Sequence, residues 1–417
     1  MVKRVLIIAY NFPPVLGSSA VQRTLSFTKY LPRNGWEPLI LSVQPFAYPM
    51  SADDQIHEIP DNIIVKRTFA LDTVRHLGIK GKYPRFAALP DRWISWWLTA
   101  VPTGMYLIRK YKPLVIYTTY PIATAHLIGM TLQKYSKLPW IADFRDSMTD
   151  ESFPSEKTRR TIYSWIENKT VTNCAKAVFT TASTKEMYQK RYQNLPKNKW
   201  EVIENGYNEE NFINVEKKLN IKSNNVIHKQ PIVLLHSGIL YTSERDPTSF
   251  FLALKELKDE NFINKSNLKI ILRGTRNEKY CNELIKKLEI EDIVFVEPVI
   301  PYEQAIREML CSSGLLIFQA DNCNHQIPAK IYEYLRAKRP ILALTDPGGD
   351  TARVLLKAGI DTIARLDSKT EIKNRFQLFI NRIIDNEVQI ASDSIIRQHN
   401  RESKTILLAN LLNEIST

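Results

Sequence analysis

Short runs rich in Val, Ile and Leu recur through this chain at a spacing that leaves room for one helix between most neighbours. VLIIAY, EPLILSV, NIIVKR, LVIYTTY, PWIADF, AVFTTAS and WEVIEN occupy the first half. IVLLHSG, LKIILRG, IVFVEPV, GLLIFQA, PILALTD and DTIARL occupy the second. Such runs are apolar on consecutive residues, so both faces of each strand must be covered. That is the signature of a parallel sheet sandwiched by helices. Amphipathic stretches such as Ser19–Leu31 and Ile122–Tyr135 supply the covering helices.

At 417 residues the chain exceeds what one hydrophobic core usually serves, and two domains are expected. Residues 206–231 are polar and rich in Asn and Lys, and read as a linker. The expected architecture is α/β, with doubly wound Rossmann-like domains over residues 1–205 and 232–394 facing each other across a cleft. A helix over about residues 395–417 is expected to pack back on the first domain. Ligands of open α/β sheets bind at the carboxyl ends of the strands.

Composition narrows the function. No window approaches the roughly 18 consecutive apolar residues of a membrane span. MVKRVLIIAY runs into NFPP without a small-residue cleavage site, so it reads as a first strand rather than a signal peptide. The expected location is therefore cytoplasmic, with peripheral contact at the inner face of the plasma membrane. Cys174, Cys281, Cys311 and Cys323 have no CxxC spacing, and the seven histidines are scattered, so no metal site is expected. The net charge of +13 is uneven: residues 1–200 carry 28 Lys and Arg against 14 Asp and Glu. An anionic partner for that half is implied, either a membrane surface or a phosphorylated substrate. No helix-turn-helix, zinc-finger or RNA-recognition pattern supports nucleic acid.

Several segments carry candidate chemistry, each with a plainer reading beside it. YNFPPVLGSSAVQR places Tyr10, Gly17 and a helix start after the first strand, suited to an anion or to a simple capped turn. PWIADFRDSM ends a strand with Asp143, Arg145 and Asp146, which either position a hydroxyl-bearing substrate or form a local ion-pair network. HSGILYTSERDP offers Gly238 for close approach and Arg245 for phosphate oxygens, or else a solvated arginine. NCNHQIPAKIYEYL holds His325, Pro328, Lys330 and Glu333 at a strand-to-helix junction. PDRWISWW interleaves aromatics with basic neighbours and reads either as an interfacial segment or as core.

Taken in order, these segments resemble the GT-B glycosyltransferases of the family-4 type, retaining and metal-independent, in particular those of bacterial surface-polysaccharide assembly. The resemblance covers nearly the whole chain and includes VIENGYNEENF before the linker, with Asn208 where Asp is common. It implies transfer of a sugar from a nucleoside-diphosphate donor to a glycan or lipid-linked acceptor, with no cofactor. Gly17 would lie near the donor phosphates, and Arg145 stands where relatives commonly have a histidine near the donor sugar. Arg245 and Lys330 would neutralise the pyrophosphate. Glu333 fits the second glutamate of a Glu-x7-Glu motif, which touches the ribose, while His325 replaces the first. Two other functions share these features: a non-hydrolysing nucleotide-sugar epimerase, and a catalytically silent lipid- or glycan-binding subunit.

Overall fold

The computed structural model describes residues 2–15, 19–51, 53–80, 82–151, 153–220 and 231–416. They form two compact units, one of residues 1–205 and 401–417, the other of residues 206–400.

Unit 1 runs β1 (Lys3–Ile8), α1 (Ser19–Tyr30), β2 (Trp36–Val43), β3 (Ile64–Thr68), α2 (Thr73–His76), α3 (Trp96–Tyr111), β4 (Val115–Thr119), α4 (Ala123–Ser136), β5 (Trp140–Arg145), α5 (Lys157–Asn173), β6 (Lys176–Phe179), α6 (Ala182–Arg191) and β7 (Trp200–Val202). Its seven strands pair in the order β3-β2-β1-β4-β5-β6-β7, all parallel. β1 shows why its run is apolar throughout. Leu6 and Ile8 enter one core with Leu39, Leu41 and Ile116, while Val5 and Ile7 enter another with Ile40, Val115 and Tyr117.

Unit 2 runs α7 (Glu209–Leu219), β8 (Ile232–Ser237), α8 (Thr248–Asp259), β9 (Leu268–Arg273), α9 (Glu278–Lys287), β10 (Val294–Glu297), α10 (Tyr302–Cys311), β11 (Gly314–Phe318), α11 (Lys330–Ala337), β12 (Ile341–Leu344), α12 (Asp350–Lys357), β13 (Ile363–Ala364), α13 (Lys369–Ile384) and α14 (Asp393–Gln398). Its six parallel strands are ordered β10-β9-β8-β11-β12-β13. Leu234, Leu316 and Leu342 meet α8 and α13 through Phe250, Leu254 and Phe376. Leu235, Leu315 and Ile341 meet α7, α10 and α11 through Phe212, Ile306 and Leu335. Strand order reverses between β8 and β11, and the crevice outside such a reversal is where open sheets take ligands.

The last helix, α15 (Arg401–Ile415), belongs to unit 1. Leu408, Leu411 and Leu412 join the core of Phe27, Leu31 and Trp36, each buried leucine contributing about 1.5–3 kcal/mol. Arg401 donates to Gln22 at 3.0 Å and Lys404 to Glu204 at 2.7 Å.

One expectation is corrected and one open alternative is decided. The polar stretch assigned to a linker holds α7, whose Phe212 and Val215 are buried in unit 2 and whose Glu209 and Glu216 grip Arg336. Residues 221–230 of that stretch lie outside the described residues. PDRWISWW is not an interfacial segment, because its tryptophans are used inside. Trp96 is buried and donates to Thr68, Trp97 donates to Thr131, and Trp93 packs on Tyr10. Among the described residues no helix is long and apolar enough to cross a membrane.

Candidate functional site

Two cations meet at the carboxyl end of the unit 2 sheet. The chain leaves β8 at Ser237, and the Gly238 N–H still bonds to Arg273 O of the neighbouring β9 at 2.8 Å. Lys330 opens α11 and lays its ammonium against that glycine: a Cβ on residue 238 would sit 2.5 Å from Lys330 Cε and 2.6 Å from Nζ. Gly238 also has φ +156°, which side chains rarely adopt. Arg245 follows on the same loop, its backbone N–H bonded to Tyr241 O at 2.7 Å and its guanidinium over the Tyr241 ring. Neither Lys330 nor Arg245 has a carboxylate within ion-pair distance among the described residues, although Glu333 lies one turn along α11.

The electrostatics follow from that placement. Burial pushes the Lys330 ammonium down from 10.5 to about 8, with Arg245 pushing the same way and Glu333 opposing. Two like charges held together, neither in ion-pair contact with a carboxylate among the described residues, form a candidate site for an anion. The start of α11 adds to it. Ala329 is its N-cap and makes no side-chain capping bond, so the positive end of the helix dipole is not quenched there. Sequence reasoning starts this helix near Pro328; it begins at Lys330, with Pro328 O accepting from Ile331 N at 3.0 Å.

Glu333 is buried and accepts from Tyr302 Oη at 2.7 Å. Arg336, three residues past Glu333, bridges Glu209 at 2.7 Å and Glu216 at 2.8 Å and pins α11 to α7. His325 is half-buried on the loop between β11 and α11. That loop is braced by Gln319, whose amide donates to Cys323 O at 2.7 Å and Gln326 O at 2.9 Å. Sequence reasoning passed over two members of this group. Tyr302 comes from α10, 31 residues away, with no local pattern to announce it. His236 stands at the end of β8, two residues before Gly238. Its Nδ1–H donates to Leu316 O at 2.9 Å, and burial, then the Lys330 and Arg245 charges, push its pKa down to about 3. A neutral imidazole whose Nε2 is buried without a partner is thus fixed beside the cations.

A cavity of ≈ 220 Å³ opens at the same end of the sheet, lined by Thr242, Asp246, Gln319, Asp346 and Arg365 among others. None of Lys330, Gly238 or Glu333 lines it. The unpaired charge, not the enclosed volume, marks the anion site.

In unit 1 the candidates separate. Asp143 is fully buried and saturated: Arg23 grips it at 2.8 and 3.1 Å, and Tyr117 and Thr119 donate to it. Arg23 in turn bonds Ile203 O and Glu204 O. This is the ion-pair network, with no lone pair aimed at a substrate, and a catalytic role for Asp143 is dropped. Tyr10 is likewise core. Its hydroxyl donates to Ala47 O at 3.0 Å, its ring packs on Tyr48, Trp93 and Trp96, and burial raises its pKa.

Arg145 differs. It sits at the end of β5 where the register to β6 shifts, in the left-handed region at φ 59°, held by Thr180 donating to its carbonyl at 2.8 Å. Its side chain is buried, yet among the described residues it makes one bond, NH1 to Tyr120 O at 3.3 Å, and its Nε meets no acceptor. Burial lowers its pKa, countered by Asp146 and Asp143. Asp146 is half-buried beside it. Gly17 lies outside the described residues.

Neither a protein-family model nor a curated protein matches the sequence. Solved structures do match in three dimensions. Anabaena Alr3699/HepE in complex with UDP-glucose superposes with TM-score 0.65 at 14% identity, covering 99% of each chain. WaaG, a glycosyltransferase involved in lipopolysaccharide biosynthesis, gives 0.58 at 13% identity over 99% of this chain and 97% of its own. A protein provisionally described as a UDP-N-acetylglucosamine 2-epimerase from Listeria monocytogenes gives 0.55 at 14%, over 99% and 97%. The chain has the GT-B fold. Its two parallel sheets of seven and six strands are the two Rossmann-like halves of that fold. Within it, Gly238, Arg245 and Lys330 lie at the reversal between β8 and β11, at the carboxyl edge of the second sheet.

Proposed function

We propose that this GT-B chain is a glycosyltransferase that moves a sugar from a nucleoside-diphosphate donor to an acceptor hydroxyl, with retention at the anomeric carbon. Unit 2 takes the donor. The observation that carries this reading is Lys330, packed against Gly238 at the uncapped start of α11 with Arg245 close enough to depress its pKa, neither of them in ion-pair contact with a carboxylate among the described residues. Negative charge grows on the diphosphate as the glycosidic bond breaks. Positive groups already in place stabilise that leaving group without reorganisation. Glu333, oriented by Tyr302, accepts from a ribose hydroxyl. His325, on its braced loop, and neutral His236 contact the donor sugar side of the site.

The acceptor belongs to unit 1, where Arg145 and Asp146 carry the polar groups that the fold leaves unspent. A glycan or lipid-linked acceptor in surface-glycan assembly is the context we favour, in keeping with WaaG among the structural neighbours. The cationic pair replaces a divalent ion in our scheme, so turnover is expected to survive EDTA.

The epimerase reading draws support from the Listeria neighbour, which has the same fold. Calorimetry with UDP, GDP and other nucleoside diphosphates, followed by a nucleotide-sugar screen, tests both. Binding of one nucleotide with acceptor-dependent release of it supports the transferase. A changed nucleotide sugar in the absence of acceptor supports the epimerase. Absence of binding by every nucleotide overturns both and leaves the silent-subunit reading.

A further inference from the structure

The cavity of ≈ 220 Å³ in unit 2 is not used by the anion site, and its chemistry is the opposite of that site's. It lies where the loops after β11, β12 and β13 meet the start of α8. Its walls carry the carboxylates of Asp246, Asp321, Asp346 and Asp367, against a single cation, Arg365. Arg365 is taken up by Asp367, through Nε at 3.1 Å and NH2 at 3.0 Å. Asp246, Asp321 and Asp346 have no cation within ion-pair distance among the described residues. Asp246 accepts from neutral groups, the Thr248 N–H at 3.0 Å and Tyr280 Oη at 3.1 Å. Bonds from the Gly348 N–H and from Asn324 hold the Asp346 carboxyl below its ordinary range, so it is charged at neutral pH.

Acidic residues alone would make only a solvated surface; Gln319 makes this a built site. It is 2% exposed and lines the cavity. Its Nε2 donates to Cys323 O and Gln326 O, and those two carbonyls fix which way the amide is turned. Its Oε1, on the other side of the same amide, is buried and has no partner among the described residues. A buried acceptor without a donor costs the fold stability, and an N–H supplied from the cavity removes that cost. The walls are fixed in advance. Ala320 N–H bonds Glu244 O at 2.7 Å, and Asn322 Nδ2 bonds Ser243 O at 2.9 Å, tying the loop after β11 to the loop that leads into α8.

We propose that this cavity binds a small organic ammonium ion, with Asp246 and Asp346 meeting its charge and Gln319 Oε1 accepting one of its N–H groups. An ammonium carries three donors and no acceptor, which suits a wall of carboxylates and an open amide oxygen. A neutral polyol would leave the unpaired aspartates without a counter-charge. A metal ion is not favoured either, since among the described residues no three His, Cys, Asp or Glu side chains are grouped so as to hold one. The volume is far above the ~10–15 Å³ that one water needs, and it admits a short diamine. The inference stands whether or not the chain transfers sugars.

Calorimetry of the full chain with putrescine tests it, with 1,4-butanediol, which has hydroxyls in place of the two amines, as the neutral match. Putrescine should bind at low salt, raise the thermal midpoint and bind more weakly as salt is raised. Butanediol should bind at least about tenfold less. Asp246→Asn and Asp346→Asn should each lower putrescine affinity about tenfold, and Gln319→Met about fivefold. Asp321→Ser removes an exposed side chain with no bond inside the protein, so it should keep the parent's midpoint while losing about threefold in affinity; it carries the test where a variant at a bonded position fails to fold. A Glu283→Gln control on α9 should bind like the parent. Equal binding of butanediol, displacement of putrescine by magnesium, or absence of binding overturns the inference. Parental affinity in the aspartate variants, or loss in the control, overturns it as well, because putrescine would then bind elsewhere.

Discussion

Replacing Lys330 by methionine separates the cost of the cation from its use. The folded protein holds this ammonium at about 8 rather than 10.5. At about 1.36 kcal/mol per pH unit the depression corresponds to roughly 3 kcal/mol of disfavoured charge. The side chain keeps part of its solvent contact, so about 1–2 kcal/mol is the figure carried to the test. Methionine preserves the stem that lies along Gly238 and removes the charge. At pH 7 the ligand-free variant should therefore equal the parent in stability or exceed it by up to about 2 kcal/mol. The sign of the pH dependence is fixed. Between about 8 and 10.5 the unfolded chain binds more protons at this residue than the folded one. The parent thus gains stability relative to the variant as pH rises through that window, and the gap closes. Nucleotide binding should move the other way. Losing a charged hydrogen bond to phosphate costs about 1.5–3 kcal/mol, or about 10- to 100-fold in affinity. Parent affinity should also fall above pH about 8 as the ammonium deprotonates. Urea melts at pH 7 and 9.5, with and without the nucleoside diphosphate that binds, report both quantities. A ligand-free variant more than about 2 kcal/mol weaker at pH 7 would make Lys330 a packing residue. Unchanged nucleotide affinity would refute the phosphate role.

Gly238→Ala should lower nucleotide affinity about tenfold, because its Cβ would clash with Lys330 Cε and Nζ and displace the ammonium, while backbone strain costs about 1 kcal/mol of stability. In calorimetry its effect should not add to that of Lys330→Met. Glu333→Gln keeps an acceptor for Tyr302, so the thermal midpoint should hold while nucleotide affinity drops about tenfold; loss of folding would mark Glu333 as core. Asp143→Asn leaves buried Arg23 without its counter-charge and should destabilise by about 3 kcal/mol or more in urea melts, with no selective loss of nucleotide binding. Arg145→Ala should leave nucleotide affinity unchanged and cut acceptor-dependent turnover at least about tenfold, which acceptor titration would show; stability should stay level or rise as an unsatisfied buried cation is removed.

The sheets were readable because parallel strands need apolar residues on both faces, and each of the quoted runs contains a strand, down to the two-residue β13. What failed shares one cause. α7 looked like linker because two buried residues, Phe212 and Val215, are diluted by Glu, Asn and Lys. Those charges are not solvated filler: Glu209 and Glu216 belong to Arg336, 127 and 120 residues away. The tryptophans of residues 93–97 stay open between interface and core in the sequence because their partners, Thr68, Thr131 and Tyr10, are distant in it. Tyr302 and His236 went unremarked for the same reason. Local spacing reports the period of an element, and it is silent on which remote polar group meets which.

That contrast yields a rule for sorting charges within this fold. Asp143, Arg23 and Arg336 are all buried, and all of them are spent. Each meets at least two specific partners, and each interaction closes inside its own unit. Lys330 and Arg145 are not spent. One gives up much of its affinity for a proton, and the other occupies left-handed backbone with one long hydrogen bond. Under the proposed function another molecule completes both positions, which offsets what they cost the fold. Arg145 is the last residue of β5 and Lys330 the first of α11, which follows β11, at the strand ends where open sheets leave their polar groups for ligands. The acid at position 143 and the base at position 145 are two residues apart, yet only the second has bonding capacity left for a substrate.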